Sequence, residues 1–483
     1  MKILRITAAN SLIRFETDAD ATVQLSAFSS VFCQDSPVYS TEATAKDGCF
    51  TLPMTLNGYD GRFLYYRITE DGKPCTGACY CEDMGDSPVQ MPYPVTESKK
   101  GLQVTMVHDA INLGVKHAAL NVNLGSFLWC RPIEGDTIPF EFDGETFYFR
   151  KKVVEQNDAR VKELTDAGVI ITYILLNSHT WGWIQTPDDL WEIIKHPGFC
   201  EGGRISAFNL HNKQAVRYYM AWVAFLTERY TLPDAPYGRA VGLIVGNEVN
   251  SGFEWCNMGE ATVEQYVYDY TASLRLCWQV STAIWSGMRT YISLDHFWTG
   301  ANFSADANRF YGSKFVLEEL CRLCHTEGQI GWHVAHHPYP ENLNFPDFWN
   351  DESATADENT YRITFKNLEV LAQFLYREEY LFCGERRRII LSEQGFNSHN
   401  TATSEVLQAM AYGKAYRKVM EIPEIDSFIL HAHQDNKGEF GLNLGLWRRR
   451  PESSVPDSPK PIYFVFRDID KKDEKGVYHW QRY

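Results

Sequence analysis

The chain has no surplus of basic residues: 46 Lys and Arg stand against 62 Asp and Glu, a formal net charge of −16 at pH 7. A surface of that sign repels phosphate backbones and anionic headgroups, which argues against nucleic acid and membranes as partners. No apolar run approaches the ~20 residues of a membrane span. The opening Met1-Lys2-Ile3-Leu4-Arg5-Ile6 also lacks an apolar stretch with a small-residue cleavage site, so a cytoplasmic protein is expected. Low-complexity and repeated segments are missing, which removes disordered and solenoid architectures. There is no Gly-rich phosphate loop and no serine nucleophile elbow. Cysteine is not scarce, with 12 residues, but pairing signals are. Cys321-Arg322-Leu323-Cys324-His325 has no second Cys-x-x-Cys, and Cys75, Cys79 and Cys81 lack a partner set, so these thiols read as reduced and structural. Neither a metal nor a cofactor is expected.

What is present is an ordinary globular composition, 44% hydrophobic and 22% charged over 483 residues. That length exceeds the ~250–300 residues at which one core stops growing, so two folded units are expected. Residues 1–95 carry short alternating runs such as Ala21-Thr22-Val23-Gln24-Leu25-Ser26-Ala27-Phe28, with turn signals at Asp60-Gly61 and Asp71-Gly72. A period of two turns one face inward and predicts a small Ig-like β-sandwich as an accessory domain. Residues 62–68 read as one arm of a hairpin, and Pro88, Pro92 and Pro94 mark a linker.

Beyond residue 100, short β-branched strands alternate with longer helical patterns, the pattern of a parallel sheet with helical crossovers. Eight such units fit, with strands at 102–107, 117–123, 169–176, 241–247, 289–295, 330–336, 388–392 and 425–431. The expected fold class is therefore α/β, a (β/α)8 TIM barrel over residues 96–483. Val216, Tyr219, Met220, Val223, Leu226 and Tyr230 form an apolar stripe at helical spacing, Thr262 and Gln265 suit a capping box, and Gly168 suits the position just past a helix end. Long insertions are expected after strands two (124–147), three (177–210) and six (337–363).

Chemistry in such barrels sits at the C-terminal ends of the strands. Two apolar runs end there in a carboxylate: Val241-Gly242-Leu243-Ile244-Val245-Gly246-Asn247-Glu248 on strand four, and Arg388-Ile389-Ile390-Leu391-Ser392-Glu393 on strand seven. Either Glu alone is as readily a strand-terminal residue paired to a neighbouring cation. Together they form the facing pair that glycosidic cleavage needs, one donating a proton to the leaving oxygen and the other attacking or stabilising the anomeric carbon. Neutral carbohydrate substrates also suit the acidic balance. Eight of the thirteen tryptophans fall after strand ends, and most such rings pack loops. Trp298 and Trp447 are read as facing sugar, with Asn123 and His433 as polar contacts.

These residues resemble the clan A retaining glycoside hydrolases, whose barrels carry Asn-Glu at the end of strand four and a nucleophilic Glu at the end of strand seven. Asn247-Glu248 and Glu393 match both positions. The resemblance implies that Glu248 is the acid/base, Glu393 the nucleophile, and Asn247 a hydrogen-bond partner of the sugar 2-hydroxyl. His337-Pro338-Tyr339 matches a His-x-Tyr motif after strand six whose Tyr bonds the nucleophile, and His179 matches a His after strand three. Two departures stand out. Family members often carry an Arg on strand two, where this chain has Asn121 and Asn123, and a Trp ending strand eight, where it has His431-Ala432-His433-Gln434-Asp435. The implied activity is cleavage of β-linked glycosides with retention.

Two alternatives remain open at this level. His333, His336 and His337 near strand six, with His431 and His433 near strand eight, could serve a metal-dependent barrel hydrolase. Alternatively, a catalytically silent barrel could bind glycans together with the β-sandwich.

Overall fold

A computed structural model describes residues 1–303, 305–451, 453 and 455–483. Eight parallel strands close into a barrel in chain order: β1 (Lys100–Gln103), β2 (His117–Asn123), β3 (Ile170–Leu176), β4 (Gly242–Val245), β5 (Arg289–Leu294), β6 (Trp332–His336), β7 (Ile389–Leu391) and β8 (Ile425–Leu430). Closure comes from pairing of the first strand with the last, Gly101 opposite Ile429 and Leu102 opposite Leu430. The strands are near-continuous apolar runs because helices cover the outside while side chains fill the inside. Ala119, Ile174, Ile244, Tyr291, Ala335, Ile390 and Ile429, one from each of β2 to β8, form a buried layer across the barrel interior.

That layer fixes what lies above it, because side chains on a strand repeat their direction every second residue. Two positions further along each chain stand Asn121, Leu176, Gly246, Ser293, His337, Ser392 and His431, with Gln103 two beyond Gly101. These residues are the floor of the barrel mouth. Asn121 is exposed although it lies on a barrel strand, as expected for a side chain facing an open mouth.

The connecting helices form where the sequence predicts. Lys213–Tyr230 starts at Asn212, whose side chain accepts from the Ala215 amide at 2.7 Å. Val263–Ile284 carries the expected capping box of Thr262 and Gln265. Gly168 takes φ +77° just past Lys151–Asp166, a left-handed turn that suits glycine.

The N-terminal strands make two four-stranded sheets. Lys2–Ala9, Leu12–Thr17 and Cys49–Pro53, with Thr76–Gly77 at the edge, form one; Thr22–Phe28, Tyr39–Thr44, Tyr65–Glu70 and Lys73–Pro74 form the other. Phe15 stacks on Phe50 at 4.5 Å and meets Tyr66 of the second sheet edge-on at 5.0 Å, so the apolar faces oppose. The hairpin at Asp71-Gly72 forms, whereas Asp60-Gly61 opens a short 3-10 turn because the Asp60 carboxylate caps the Arg62 amide at 2.9 Å. Hydrogen bonds from Gln279 to the Cys81 carbonyl and from the Cys79 amide to the Glu327 carbonyl tie these sheets to the outside of the barrel. All twelve cysteines are unpaired thiols. No described helix is long and apolar enough to cross a membrane.

Candidate active site

The end of β4 is a strained turn. Gly246 (φ +78°) and Glu248 (φ 37°, ψ 55°) both occupy the left-handed region, which a residue with a side chain seldom adopts. The Glu248 amide is held by the Ser293 hydroxyl of β5 at 2.9 Å. This turn stops the strand from continuing outward and directs the Glu248 carboxylate to His337, whose Nδ1 lies 2.9 Å from Oε1. The other ring nitrogen of His337 meets the Ser392 hydroxyl of the β7 end at 3.0 Å.

Glu393 follows Ser392. Its Oε1 accepts from the Tyr339 hydroxyl at 3.2 Å and its Oε2 from the Gln103 amide at 3.0 Å. A Glu248 oxygen, a Glu393 oxygen and a His337 nitrogen all lie within 4.8 Å of one another. Residues from the ends of β1, β4, β6 and β7 thus meet in one cluster at the mouth, joined from the end of β8 by His431, whose Nδ1 faces the Gln103 oxygen at 2.7 Å.

The electrostatics follow from burial and neighbours. Burial would raise the Glu393 carboxyl, but the imidazoles of His431 and His337 and the bonds from Gln103 and Tyr339 outweigh it and hold the group below its ordinary value. For His337, burial favours the neutral ring, yet the hydrogen bond to Glu248 and the charge of Glu393 win and raise it. His431 shows the same contest, burial against Glu393 and Glu439, and is pushed up to about 9. Asp295, buried at the end of β5, is pushed up to about 7 by burial and by Glu248, despite bonds from Ser251 and Asn250. Through those bonds it also fixes the turn that follows Glu248.

The sequence-derived residues divide clearly. Glu248, Glu393, His337 and Tyr339 come together. Asn247 lies half-buried beside Glu248, and its side chain makes no hydrogen bond among the described residues. Three assignments, Asn123, Trp298 and His433, need correction, whereas His179 and Trp447 are half-buried with one polar partner each. Asn123 is buried and committed to the turn at Ser178 through its amide and carbonyl, and to Ser126. His179 lies on the Thr180–Gln185 hairpin side and pairs with Asp188 at 3.1 Å. Trp298 is 1% exposed, its indole bonded to the Glu358 carbonyl and its ring packed edge-on against Phe374, so it secures a loop. His433 is fully buried, with Nδ1 accepting from the Thr105 and Met106 amides and Nε2 on Asp109 at 2.9 Å, which leaves nothing for a hydroxyl. Trp447 donates to the same Asp109 at 2.8 Å.

Sequence reasoning missed Gln103, Ser392, Asp295, His431 as a member of this cluster, and Glu439, which bonds His431 at 3.1 Å. Gln103 carried a signal, a polar residue ending an apolar run at a strand's C-terminal end. Among the tryptophans, Trp181 and Trp255 are the ones packed partly against the barrel's interior layer.

The histidines proposed for a metal diverge. His333 accepts from the Arg388 amide, His336 faces the Ile363 carbonyl, and His433 points to Asp109. A separate grouping, His196, His211 and Asp269, lies outside the mouth. There the Gly198 amide donates to His196 Nδ1, which leaves the proton on Nε2, the atom that faces Asp269. This arrangement suits a hydrogen bond from a neutral imidazole to the Asp269 carboxylate better than a ligand set. A cavity of about 360 Å³ beside helix Ala402–Met420, lined by Trp349, Lys366, Lys414 and Lys418 among others, contains none of the cluster residues.

The chain belongs to the DUF5722 family, a family of unknown function whose profile matches residues 92–481. No curated protein matches it in sequence. Among solved structures it is similar to a family 39 glycoside hydrolase from Bacteroides cellulosilyticus WH2, at 13% identity over 94% of this chain and 78% of that one, with a TM-score of 0.49. It is also similar to a β-glucosidase from Pyrococcus furiosus, at 13% identity over 75% and 82% with a TM-score of 0.46. An endo-β-1,4-mannanase from Thermotoga petrophila is similar at 12% identity over 75% and 71%, with a TM-score of 0.43.

Proposed function

We propose that the chain is a retaining glycoside hydrolase acting on β-linked glycosides, with Glu393 as nucleophile and Glu248 as acid/base. The observation that carries this reading is the spacing of the two carboxylates, with oxygens within 4.8 Å of one another at the barrel mouth. Retention needs carboxyl groups ~5–5.5 Å apart, whereas inversion needs ~6.5–9.5 Å to admit a water between them. In the first step Glu393 attacks the anomeric carbon while the bond to the leaving oxygen breaks and that oxygen takes the proton held by the Glu248–His337 pair. In the second step Glu248 takes a proton from water, the water oxygen bonds the anomeric carbon, and Glu393 leaves as a carboxylate.

The two carboxylates occupy unlike surroundings, as the two roles require. Glu393 is held as an anion by donors and imidazoles, and Glu248 shares a proton site with His337. Asn247, next to Glu248 and half-buried, is in this reading the partner of a sugar hydroxyl. In the same reading residues 96–483 form the catalytic barrel and residues 1–95 an accessory all-β unit.

The test is a screen of aryl β-glycosides of several sugars, with and without a chelator, on the wild type, Glu393→Gln and Glu248→Gln. Both variants should lose nearly all turnover, the chelator should change nothing, and the first-formed sugar should keep its anomeric configuration by NMR. Full activity in Glu393→Gln, or an inverted product, would overturn the assignment.

A further inference from the structure

Among the described residues neither Glu248 nor Glu393 meets a lysine or an arginine; the cationic groups beside them are imidazoles. The protonation of one of these can be read from hydrogen bonding alone. His431 Nδ1 faces the Gln103 carbonyl oxygen at 2.7 Å, and Nε2 faces the Glu439 carboxylate at 3.1 Å. Gln103 cannot be turned over at no cost, since its amide nitrogen already donates to Glu393 Oε2 at 3.0 Å and to the Ser392 carbonyl at 3.3 Å. Both ring nitrogens of His431 therefore face acceptors, and only the imidazolium, with two N–H groups, satisfies both.

We propose that His431 is a positioning residue which, held as an imidazolium between Glu439 and Gln103, keeps Glu393 ionised and oriented through the Gln103 amide. The inference rests on the reading of Glu393 as the nucleophile. Loss of the His431 proton from Nδ1 leaves a lone pair facing the Gln103 oxygen. The amide then turns over to donate to that nitrogen, and its carbonyl comes to face the Glu393 carboxylate. One proton on β8 thus decides whether the nucleophile is met by a donor or by an acceptor.

The groups facing His431 come from several elements: Glu393 from β7, Glu248 from β4 and Glu439 from the segment after β8, all of which favour the cation. His337 and Tyr339, from the end of β6, stand against the same carboxylates and compete with it for them. Burial works in the opposite direction, and the balance leaves a midpoint of about 9. The raised value means that the cation is present through neutral pH and is lost as pH rises through about 9, so activity falls there in addition to any fall set by the proton of the Glu248–His337 pair.

Two measurements on the full chain test this independently. The first, ring-nitrogen NMR titration of His431, needs no substrate: the midpoint should stand well above the ordinary ~6.5 and fall by about 1 unit or more in Glu439→Gln and in Glu393→Gln. The second is the pH profile on the best aryl glycoside. His431→Gln should cut kcat by roughly tenfold or more with KM little changed and should lose the fall near pH 9, keeping only the one set by the Glu248–His337 proton. His431→Arg, which stays charged, should recover much of kcat and carry the limb upward. A His431 midpoint at the ordinary value, or a basic limb that stays in place in Glu439→Gln and His431→Arg, would overturn the proposal. Activity retained in Glu393→Gln would instead overturn the nucleophile assignment, while the ring titration would still report the charge on His431.

Discussion

Tyr339→Phe removes one of the two side-chain donors that hold the Glu393 carboxylate. A hydrogen bond to an ionised group contributes ~1.5–3 kcal/mol. One pKa unit corresponds to about 1.4 kcal/mol. The Tyr339 contact is long at 3.2 Å, so the lower part of that range applies. The Glu393 carboxyl should therefore rise by roughly 1 unit. Glu393 now stands below its ordinary value, so its ionised form is present above the unfolded value and disappears only as pH falls through the depressed folded one. The variant moves that fall to higher pH. The acid limb of kcat/KM, which reports the free enzyme, should thus move up by about 1 unit, with little change at neutral pH, where the carboxyl stays ionised. The same variant should lose some stability at neutral pH and little at strongly acid pH. An acid limb that does not move, or that moves down, would show that the Tyr339 hydroxyl does not support a working anion.

Lys460 and Asp435 form a buried ion pair at 2.6 Å, and Lys460→Met should cost ~3–5 kcal/mol by urea unfolding because it strands a carboxylate; adding Asp435→Leu should recover most of the loss. If the double variant is no better than the single one, the cost lies in packing. Ser392→Ala frees His337 Nε2 and should lower kcat about fivefold with little change in KM, since the lost bond contributes ~1 kcal/mol to orienting the ring. Ile429→Ala empties part of the interior layer and should cost ~2–5 kcal/mol while leaving both pH limbs in place.

The barrel was legible because its strands are buried on both faces, and burial shows as apolar runs. Seven of the eight strands lie close to where the runs fall. The first was expected at 102–107 and forms at Lys100–Gln103. A lysine reads as surface, yet Lys100 is 1% exposed because Asp470, far along the chain, accepts from its ammonium at 2.7 Å. The two glutamates were legible for a related reason, a carboxylate ending an apolar run. The histidine contacts were not. His431 and His433 share the parity of one strand, but β8 ends at Leu430, so only the first keeps the strand's register and the second turns away to Asp109. Trp298 illustrates a different limit: nothing local in the sequence announces that residues near 358–361 will cover it.

The Gln103–His431 contact spans 328 positions, and its origin is the closing seam of the barrel. Gly101 pairs with Ile429 across β1 and β8, and the residues two further along each strand are Gln103 and His431. The register of that seam brings Gln103 beside His431 and Glu393, and Gly101 is what lets the seam close. A Cβ there would meet the Ile429 side chain at 2.7 Å and His117 Cβ at 3.1 Å. Gly101→Ala should therefore cost ~1–3 kcal/mol by overpacking. It should also push β1 off β8 just below the pair, loosen the Gln103 bond and lower the His431 midpoint. Ile429→Ala, which relieves the same spot, should cost stability without moving that midpoint. If Gly101→Ala loses stability while His431 titrates as in the wild type, the seam holds the fold but does not set the charge at the mouth.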